Sequence, residues 1–251
     1  MRVIFNKEIE FFIKKNFLPQ SYLLKKRLER SIKNNDEEEI KLVKSFIISD
    51  TDSIDVGVYR GVYSYEMSKY SKLVHAFEPN PILFNNIEKD LKKIIKNIKF
   101  YNYALSDESR LMSLKVPIRN KNYDKENYEE YFQMGKASVH TKNNINEFVS
   151  FDIMSKKLDS FNFVNKISFI KIDVEGHEVE VIKGSEKTIK NNRPILLVEI
   201  EEQYTQKKVK DTLKYINSLG YNSFYFKDNI LNSTNTLNDL NSVNNFIFKP
   251  L

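Results

Sequence analysis

The sequence predicts an α/β fold built on a doubly wound, mostly parallel sheet. From about residue 53 onward, short apolar runs alternate with stretches that have the periodicity of helices. The apolar runs are nearly continuous, which is typical of parallel strands covered by helices on both faces. A chain of 251 residues can bury such a core as one large domain, without disulfide or metal staples.

The first 48 residues have a different pattern and predict an N-terminal helical extension over 1–48. Apolar residues at three-to-four spacing, such as Phe12 and Phe17, indicate one amphipathic helix. Pro19 interrupts it, and a second amphipathic stretch begins near Ser21. The remaining residues, 49–251, are predicted to form the α/β domain.

Within that domain the pattern places each element in order. Strands are predicted at 53–56, 73–77, 98–105, 111–116, 148–151, 167–172, 194–200, 221–226 and 245–248. Helices are predicted up to about residue 70 and at 81–95, 179–189 and 208–219, the last closed by Gly220. A polar stretch rich in Tyr and Asn, 117–147, interrupts the alternation and is interpreted as a lid-like insertion.

Composition narrows the classes of function. The absence of cysteine excludes disulfides, zinc–thiolate sites and a catalytic thiol. No signal peptide and no apolar run long enough to span a membrane is visible, so we expect a cytoplasmic protein. The net charge of +6 does not predict nucleic-acid binding, because basic and acidic residues are interleaved. The acidic run 37–39, for example, has the pattern of a solvated helical surface.

The turn after the first strand contains the first candidate site. In parallel sheets, ligands bind beyond the carboxyl ends of the strands. There, Gly57 can adopt a positive φ and let the backbone approach a ligand, and Gly61 permits close packing at the helix start. Tyr59 replaces the middle glycine of a dinucleotide-binding turn, and Asp55 suits a ligand with a positive ammonium group. The alternative is an ordinary strand-to-helix turn.

The turn after the second strand contains Glu78, 23 residues beyond Asp55. That spacing is close to the one expected for a carboxylate that accepts hydrogen bonds from both ribose hydroxyls. Pro79 fixes the backbone directly after it, and Asn80 belongs to the same predicted cofactor site. The alternative is a glutamate that interacts favourably with a helix N-terminus.

Polar residues also follow the later strands. Ser106 and Asp107 lie after the third strand, where an adenine edge is expected. An acid-rich turn with Asp173 and Glu175 follows the strand at 167–172, and Glu199 ends the next strand. Because these strands are predicted to be parallel, we expect their acids to face one mouth of the sheet.

Taken together, these segments resemble the FkbM-type methyltransferases, which are class I S-adenosylmethionine-dependent enzymes. The resemblance covers about residues 50 to 205 and depends on DVGVYRG, VHAFEPNP, NYALSD, FIKIDVEGHEVEVIKG and RPILLVEI, in that order. Residues 136–139 also resemble a short serine-containing element of the family. The family's usual D-x-G-A-N-x-G differs here at Val58 and Tyr59, which affects cofactor contacts rather than cofactor identity.

The resemblance implies a Rossmann-like sheet of seven strands whose last strand, 245–248, runs antiparallel to its neighbours. It implies S-adenosylmethionine lying across Gly57, Glu78 and Asp107, with the methyl group directed at Asp173. Family members commonly methylate hydroxyl oxygens of sugars and of polyketide- or peptide-derived molecules. A sugar hydroxyl is barely acidic, so its methylation benefits from a general base.

The candidate base is Asp173, because it ends the strand nearest the expected methyl group. His140 and His177 are alternatives, although His177 could instead cap or pack the following helix. Asp173 and Glu199, with Glu175 as a further candidate ligand, could instead hold a divalent cation such as Mg²⁺ that lowers the pKa of the acceptor hydroxyl. These acids could equally interact with helix N-termini.

The predicted function is O-methylation of a sugar hydroxyl, on a nucleotide-linked sugar used for surface polysaccharide such as capsule or lipopolysaccharide. Basic side chains in or just before the polar insertion could bind the phosphates of such a substrate, namely Lys115, Arg119 and Lys121. Two alternatives stay open: the protein could methylate a non-sugar small-molecule hydroxyl, or it could be a non-catalytic binding module. The sequence also leaves open whether the N-terminal helices form a homodimer.

Overall fold

The computed structural model describes residues 19–34, 37–118, 133–139, 147–201 and 208–251. The strands are β1 (Asp52–Val56), β2 (Val74–Phe77), β3 (Ile98–Tyr101), β4 (Ala104–Leu105), β5 (Leu111–Pro117), β6 (Phe148–Lys156), β7 (Ile167–Ile172), β8 (Ile195–Glu199), β9 (Tyr221–Lys227), β10 (Ile230–Ser233) and β11 (Asn245–Pro250). The helices are α1 (Gln20–Asn34), α2 (Val43–Phe46), α3 (Val62–Ser68), α4 (Pro81–Leu91), α5 (Glu178–Lys183), α6 (Glu186–Asn192) and α7 (Val209–Ser218). Short 3-10 helices lie at Glu38–Leu42, Met134–Lys136, Leu158–Ser160, Thr234–Thr236 and Leu240–Ser242.

The central sheet has eight strands in the order β10-β9-β11-β8-β7-β1-β2-β3. The five strands from β8 to β3 in this order are parallel, and β11 runs antiparallel to both β8 and β9. This confirms the predicted doubly wound sheet and its antiparallel last strand. The additional strand, β10, pairs with β9 through a tight turn in which Asp228 and Asn229 have φ of 53° and 61°. Both values fit the type I′ geometry favoured in two-residue hairpins.

Helices cover both faces of this sheet. On one face pack the N-terminal segment, α3 and α4, which contribute Leu28, Phe46, Met67 and Leu91 to a single apolar cluster. On the other face pack α5, α6 and α7 around a second cluster. The described part of the predicted N-terminal extension therefore shares the core of the α/β domain. The first predicted helix, around Phe12 and Phe17, lies outside the described residues, and no helix among those described is long and apolar enough to cross a membrane.

The predicted strand at 98–105 is two strands, which corrects the sequence interpretation. After β3, the Asn102 side chain donates hydrogen bonds to the carbonyl oxygens of Glu78 and Pro79 at 2.8 and 3.2 Å. These bonds anchor the chain at the end of β2. Beyond them, β4 pairs in parallel with β6 in a separate three-stranded sheet. The strands predicted at 111–116 and 148–151 belong to this second sheet as the antiparallel pair β5 and β6.

A buried histidine on β2 contacts side chains on both neighbouring strands, β1 and β3. His75 on β2 lies 3.0 Å from Asp52 on β1 and 3.0 Å from the Tyr101 hydroxyl on β3. Burial lowers the pKa of His75, although Asp52 opposes that shift. His75 therefore has a structural role, and it lies away from the strand ends where ligands bind.

A substitution at Gly184, directly after α5, tests how tightly the chain packs on the face of the sheet covered by α5, α6 and α7. A Cβ at this position would lie 1.9 Å from the carbonyl oxygen of Ser106. We expect Gly184→Ala to lower the free energy of unfolding by about 1–3 kcal/mol, because overpacking must displace backbone. Urea unfolding measures the change. The matched control is Lys183→Ala, one residue earlier and exposed, which should stay within about 0.5 kcal/mol of the wild type. Equal stability of the two variants would contradict this packing.

Candidate active site

The carboxyl ends of β1, β2 and β7 open into a cavity of about 240 Å³. Its wall is largely apolar, with contributions from Phe77, Leu105, Leu114 and Val139. A few polar groups, among them the carboxyl groups of Glu78 and Asp173, converge on the same space. An apolar cavity with a few placed polar groups is the usual form of a small-molecule site.

The glycine turn after β1 brings two backbones into contact. Gly57 has a φ of 87°, and a Cβ there would lie 1.8 Å from the carbonyl oxygen of Asp173. Gly61 has a φ of 74°, and its Cβ would lie 2.3 Å from the Leu91 side chain in α4. Both positions therefore require glycine, as the sequence predicted. Gly57 lines the cavity, whereas Gly61 packs the helix behind it.

Tyr59 occupies the turn in an unusual conformation, with a φ of 48°. Asparagine, the usual residue of the family here, tolerates this left-handed region better than tyrosine. The Tyr59 amide donates a hydrogen bond of 3.1 Å to Oε2 of Glu78. Its ring lies against Gly135, where a Cβ would approach the ring to 3.2 Å.

Glu78 is fixed by two backbone amides at the end of β2. Its side chain is buried, with 5% exposed, and Oε1 accepts a hydrogen bond of 2.9 Å from the Asn80 amide. Burial raises the pKa of Glu78 to about 7, although the Asn80 and Tyr59 amides oppose the shift. Pro79 lines the cavity beside it. The Asn80 side chain instead caps α4 by accepting hydrogen bonds from the amides of the first turn.

Beneath the turn, a buried lysine faces three carboxyl groups. Lys171 is 4% exposed, and its Nζ lies 2.7 Å from Oδ2 of Asp173. Burial alone would lower the pKa of Lys171, but Asp173, Asp55 and Glu37 together raise it. Asp55 is fully buried and accepts a hydrogen bond of 2.5 Å from Ser64. Burial raises the pKa of Asp55 to about 6, and Asp55 supports the turn without lining the cavity.

Two further carboxyl groups lie near Asp173, those of Glu175, which lines the cavity, and Glu199. Burial, reinforced by Asp173 and Glu199, raises the pKa of Glu175 to about 9. Burial and Asp173 raise the pKa of Glu199 to about 8. Within the described ranges, no group of three or more His, Asp or Glu side chains is arranged to hold a metal ion. The described residues therefore do not form the ligand set of the divalent cation considered for Asp173 and Glu199.

His177 lines the cavity directly before α5, and its ring is engaged in a hydrogen bond. Its Nε2 lies 2.9 Å from the Ser106 hydroxyl, which in turn donates to Asp107 at 3.1 Å. Neither Ser106 nor Asp107 is among the residues that line the cavity, whose wall here consists of the preceding three residues, 103–105. The Ser106 hydroxyl therefore lies behind His177, and the role of Ser106 and Asp107 at an adenine edge stays a prediction from the sequence. His140 lies outside the described residues.

Residues 133–139 of the predicted insertion contact the elements that surround the cavity. Ser138 pairs with Lys115 of β5 through backbone hydrogen bonds of 2.9 and 3.0 Å. The Ser138 hydroxyl donates to the carbonyl oxygen of Glu175 at 2.8 Å. Asn80 donates to the Met134 sulfur at 3.3 Å. We call residues 133–139 the clamp, because they join β5, the turn after β7 and the start of α4.

Sequence reasoning missed Glu37. The acidic run 37–39 was interpreted as a solvated surface, but Glu37 lines the cavity and Glu39 is buried. This interpretation was wrong because the run lies where the N-terminal segment packs on the core, beside Ile40. No local pattern distinguishes such acids from solvated ones, so only the tertiary contacts identify Glu37.

The comparisons with known proteins agree with this geometry. Residues 55–223, more than half of the chain, match the family model of the methyltransferase FkbM domain. Hexuronic acid methyltransferase AglP of Haloferax volcanii is 27% identical over 179 residues, which are 71% of this chain and 67% of the relative.

Among solved structures, the methyltransferase FkbM from Methylobacillus flagellatus superposes with a TM-score of 0.50 at 14% identity, over 94% of this chain. The alignment covers 59% of that protein, so this chain spans about three fifths of its length. A methyltransferase from Streptococcus mutans, solved with S-adenosylhomocysteine (SAH), gives a TM-score of 0.49 at 11% identity, over 86% of this chain and 97% of that protein.

Glu175 offers a test of the electrostatics of the site. Because its pKa in the folded state is about 9, its contribution to stability is fully present below the ordinary value of 4.5 and is lost as pH rises through 9. Glutamine lacks this dependence, so Glu175→Gln should be increasingly more stable than the wild type as pH rises. We expect the melting temperature at mildly alkaline pH to rise by about 2–4 °C, as about 1 kcal/mol would give.

Thermal unfolding across the acid-to-alkaline range checks this prediction. The matched control is Glu108→Gln, at a glutamate whose side chain is 65% exposed, and it should follow the wild-type curve. A constant difference between Glu175→Gln and the wild type at all pH values would contradict the raised pKa.

Proposed function

The chain belongs to the FkbM family of S-adenosylmethionine-dependent methyltransferases, and we propose that it methylates a hydroxyl of a sugar. The observation that best supports the proposal is the meeting of Gly57, Glu78 and Asp173 at one apolar cavity. The sugar acceptor is supported by the hexuronic acid methyltransferase to which the chain is similar. We further propose a nucleotide-linked sugar, a precursor of surface polysaccharide, as the form of the acceptor.

The lining of the cavity supports S-adenosylmethionine as the cofactor. Glu78 retains lone pairs for the two ribose hydroxyls, because each carboxylate oxygen accepts only one backbone hydrogen bond. The apolar wall around Leu105 and Val139 suits a purine ring. When bound, S-adenosylmethionine supplies a methyl group on a sulfonium sulfur, which keeps the electron pair of the broken carbon–sulfur bond.

Asp173 is the residue that we assign as general base. Its Oδ2 is held by Lys171, so we assign Oδ1 to the acceptor hydroxyl. In the step, the acceptor oxygen forms the new bond to the methyl carbon, and its proton passes to Asp173 and then to solvent. His177 is less suited to this role, because its Nε2 is engaged with Ser106. His140 stays a prediction from the sequence.

The Glu78 carboxylate tests the cofactor site. We expect the wild type to bind SAH and not NAD, and Glu78→Gln to bind SAH about 5- to 150-fold more weakly, since charged hydrogen bonds worth about 1–3 kcal/mol are lost. Because the pKa of Glu78 is about 7, wild-type affinity should fall as pH falls through 7, whereas the affinity of the variant should not.

Isothermal titration calorimetry across this pH range provides the measurement. Glu88→Gln, on the outer side of α4, is the control and should bind SAH like the wild type. If Glu78→Gln bound SAH normally at all pH values, the assignment of the ribose site would be wrong.

A substitution at Asp173 tests the proposed role of this residue as the general base. We expect Asp173→Asn to lower turnover by about 10²- to 10⁴-fold, the usual contribution of a general base, with SAH affinity similar to that of the wild type. Transfer of a labelled methyl group from S-adenosylmethionine to free and UDP-linked hexoses and hexuronic acids measures turnover. The exposed Asp211→Asn on α7 is the control.

The outcomes separate the parts of the proposal. Full activity of Asp173→Asn would assign the base to another residue. SAH binding without transfer to any sugar would favour a non-sugar acceptor or a non-catalytic binding module. Faster transfer to free sugars than to UDP-sugars would contradict the nucleotide-linked acceptor.

A further inference from the structure

A second cavity, of about 140 Å³, adjoins the first and has no role in the function described so far. It lies between the N-terminal segment, represented by Ser31 and Ile40, and the start of α3, represented by Val62 and Tyr63. Lys171 also contributes to its lining. The cavity therefore exists only because the N-terminal segment packs on the methyltransferase core.

The two cavities share a boundary. Glu37, Gly57, Tyr59 and Asp173 line both of them. A donor in the first cavity and an acceptor in the second would therefore meet at Asp173, the proposed base. Alignment of donor, acceptor and base is the main requirement of a methyl transfer.

Two buried polar groups at the second cavity, the Tyr63 hydroxyl and Oε2 of Glu37, make no hydrogen bond of regular geometry among the described residues, although their side chains are close to each other. The side chain of Tyr63 is 5% exposed, and its hydroxyl makes no hydrogen bond of regular geometry among the described residues. The same is true of the buried Oε2 of Glu37, although the Glu37 carboxylate is close enough to Tyr63 to interact with its hydroxyl and to help raise its pKa, through its charge and through a side-chain hydrogen bond. A buried polar group without a partner costs about 1–3 kcal/mol, so such groups are uncommon in folded proteins unless a ligand engages them.

We propose that the second cavity is the acceptor subsite, and that Glu37 and Tyr63 hydrogen-bond the hydroxyls of the sugar. The proposal rests on the proposed function, since it assumes that the acceptor is a sugar. A sugar hydroxyl both donates and accepts, so one hydroxyl can donate to the Glu37 carboxylate and another can accept from Tyr63.

The electrostatics of the subsite keep Tyr63 in its protonated form. Burial, and next the Glu37 carboxylate, raise the pKa of Tyr63 well above its usual value, so the phenol keeps its proton and remains a donor. The Lys171 ammonium lies 4.9 Å from the centre of the Tyr63 ring and holds the ring beside Asp173.

The position of Glu37 is fixed because the residues that follow it pack into the core. The 3-10 helix that follows it places Ile40 in the core, and α2 adds Val43 and Phe46 to the same cluster. Glu37 is therefore carried by a segment that is anchored within a few residues. Glu38, its neighbour, is 44% exposed and lies 3.7 Å from Lys41, so it provides a matched control.

The test uses the full chain and three variants, Glu37→Gln, Tyr63→Phe and the control Glu38→Gln. Sugar binding is measured by saturation-transfer difference NMR on SAH-saturated protein. The probes are the methyl glycosides of glucose, galactose and glucuronic acid, together with UDP-glucose and UDP-glucuronic acid. SAH affinity and the free energy of unfolding are measured in parallel.

We expect Glu37→Gln and Tyr63→Phe each to weaken sugar binding about 5-fold or more, and Glu38→Gln to match the wild type. SAH affinity should be unchanged in Tyr63→Phe, because Tyr63 lines only the second cavity. Tyr63→Phe should be at least as stable as the wild type, because it removes a buried hydroxyl that makes no hydrogen bond of regular geometry among the described residues. Loss of sugar binding without loss of stability separates a binding role from a structural one.

Other results would overturn the inference. If sugars bound the variants as well as the wild type, the acceptor subsite would lie elsewhere while the proposed function stood. If SAH affinity fell in both variants, the second cavity would hold the amino-acid end of the cofactor. If the wild type bound SAH but no sugar probe, the proposed sugar acceptor itself would fail, and this inference with it.

Discussion

The site depends on one buried ion pair, between Lys171 on the central strand β7 and Asp173 at its end. Lys171 also lies directly opposite Asp55 in the pairing of β1 with β7, so it compensates two carboxyl groups on adjacent strands. Removing one partner from a buried pair costs about 3–5 kcal/mol, because the other charge is left uncompensated. The lysine thus stabilises the turn at Gly57 and fixes the orientation of Asp173 at the boundary of both cavities.

The acids around this pair explain why the site is suited to a cationic donor. Glu175 and Glu199 have raised pKa values because burial and neighbouring carboxylates disfavour their ionised forms. The same crowding disfavours an anionic ligand beside Asp173 and favours a positive charge such as a sulfonium. If the acceptor carries phosphate or carboxylate, that group must therefore lie away from the Asp173 edge, toward the outer part of its site.

Sequence reasoning succeeded where the constraint is local. The left-handed Gly57, the close packing of Gly61 and the strand-end position of Glu78 follow from a short motif, because neighbouring residues impose them. It failed where distant segments decide the outcome. Asn102 ends β3 through hydrogen bonds to carbonyls of another turn, and Glu37 reaches the cavity only through packing of the N-terminal segment.

Tyr59 shows how a departure from the family motif is accommodated. A non-glycine residue in the left-handed region costs about 1–2 kcal/mol, and tyrosine lacks the local hydrogen bonding that helps asparagine there. Three contacts offset this cost, namely the hydrogen bond that the Tyr59 backbone amide donates to Glu78, the Arg60 guanidinium 5.2 Å from the ring centre and packing on Gly135. The last contact requires a small residue in the clamp, since a Cβ at 135 would press on the ring. Tyr59 therefore connects the carboxylate proposed to bind ribose with the segment that covers the cavity, a connection that the shorter asparagine would make less fully.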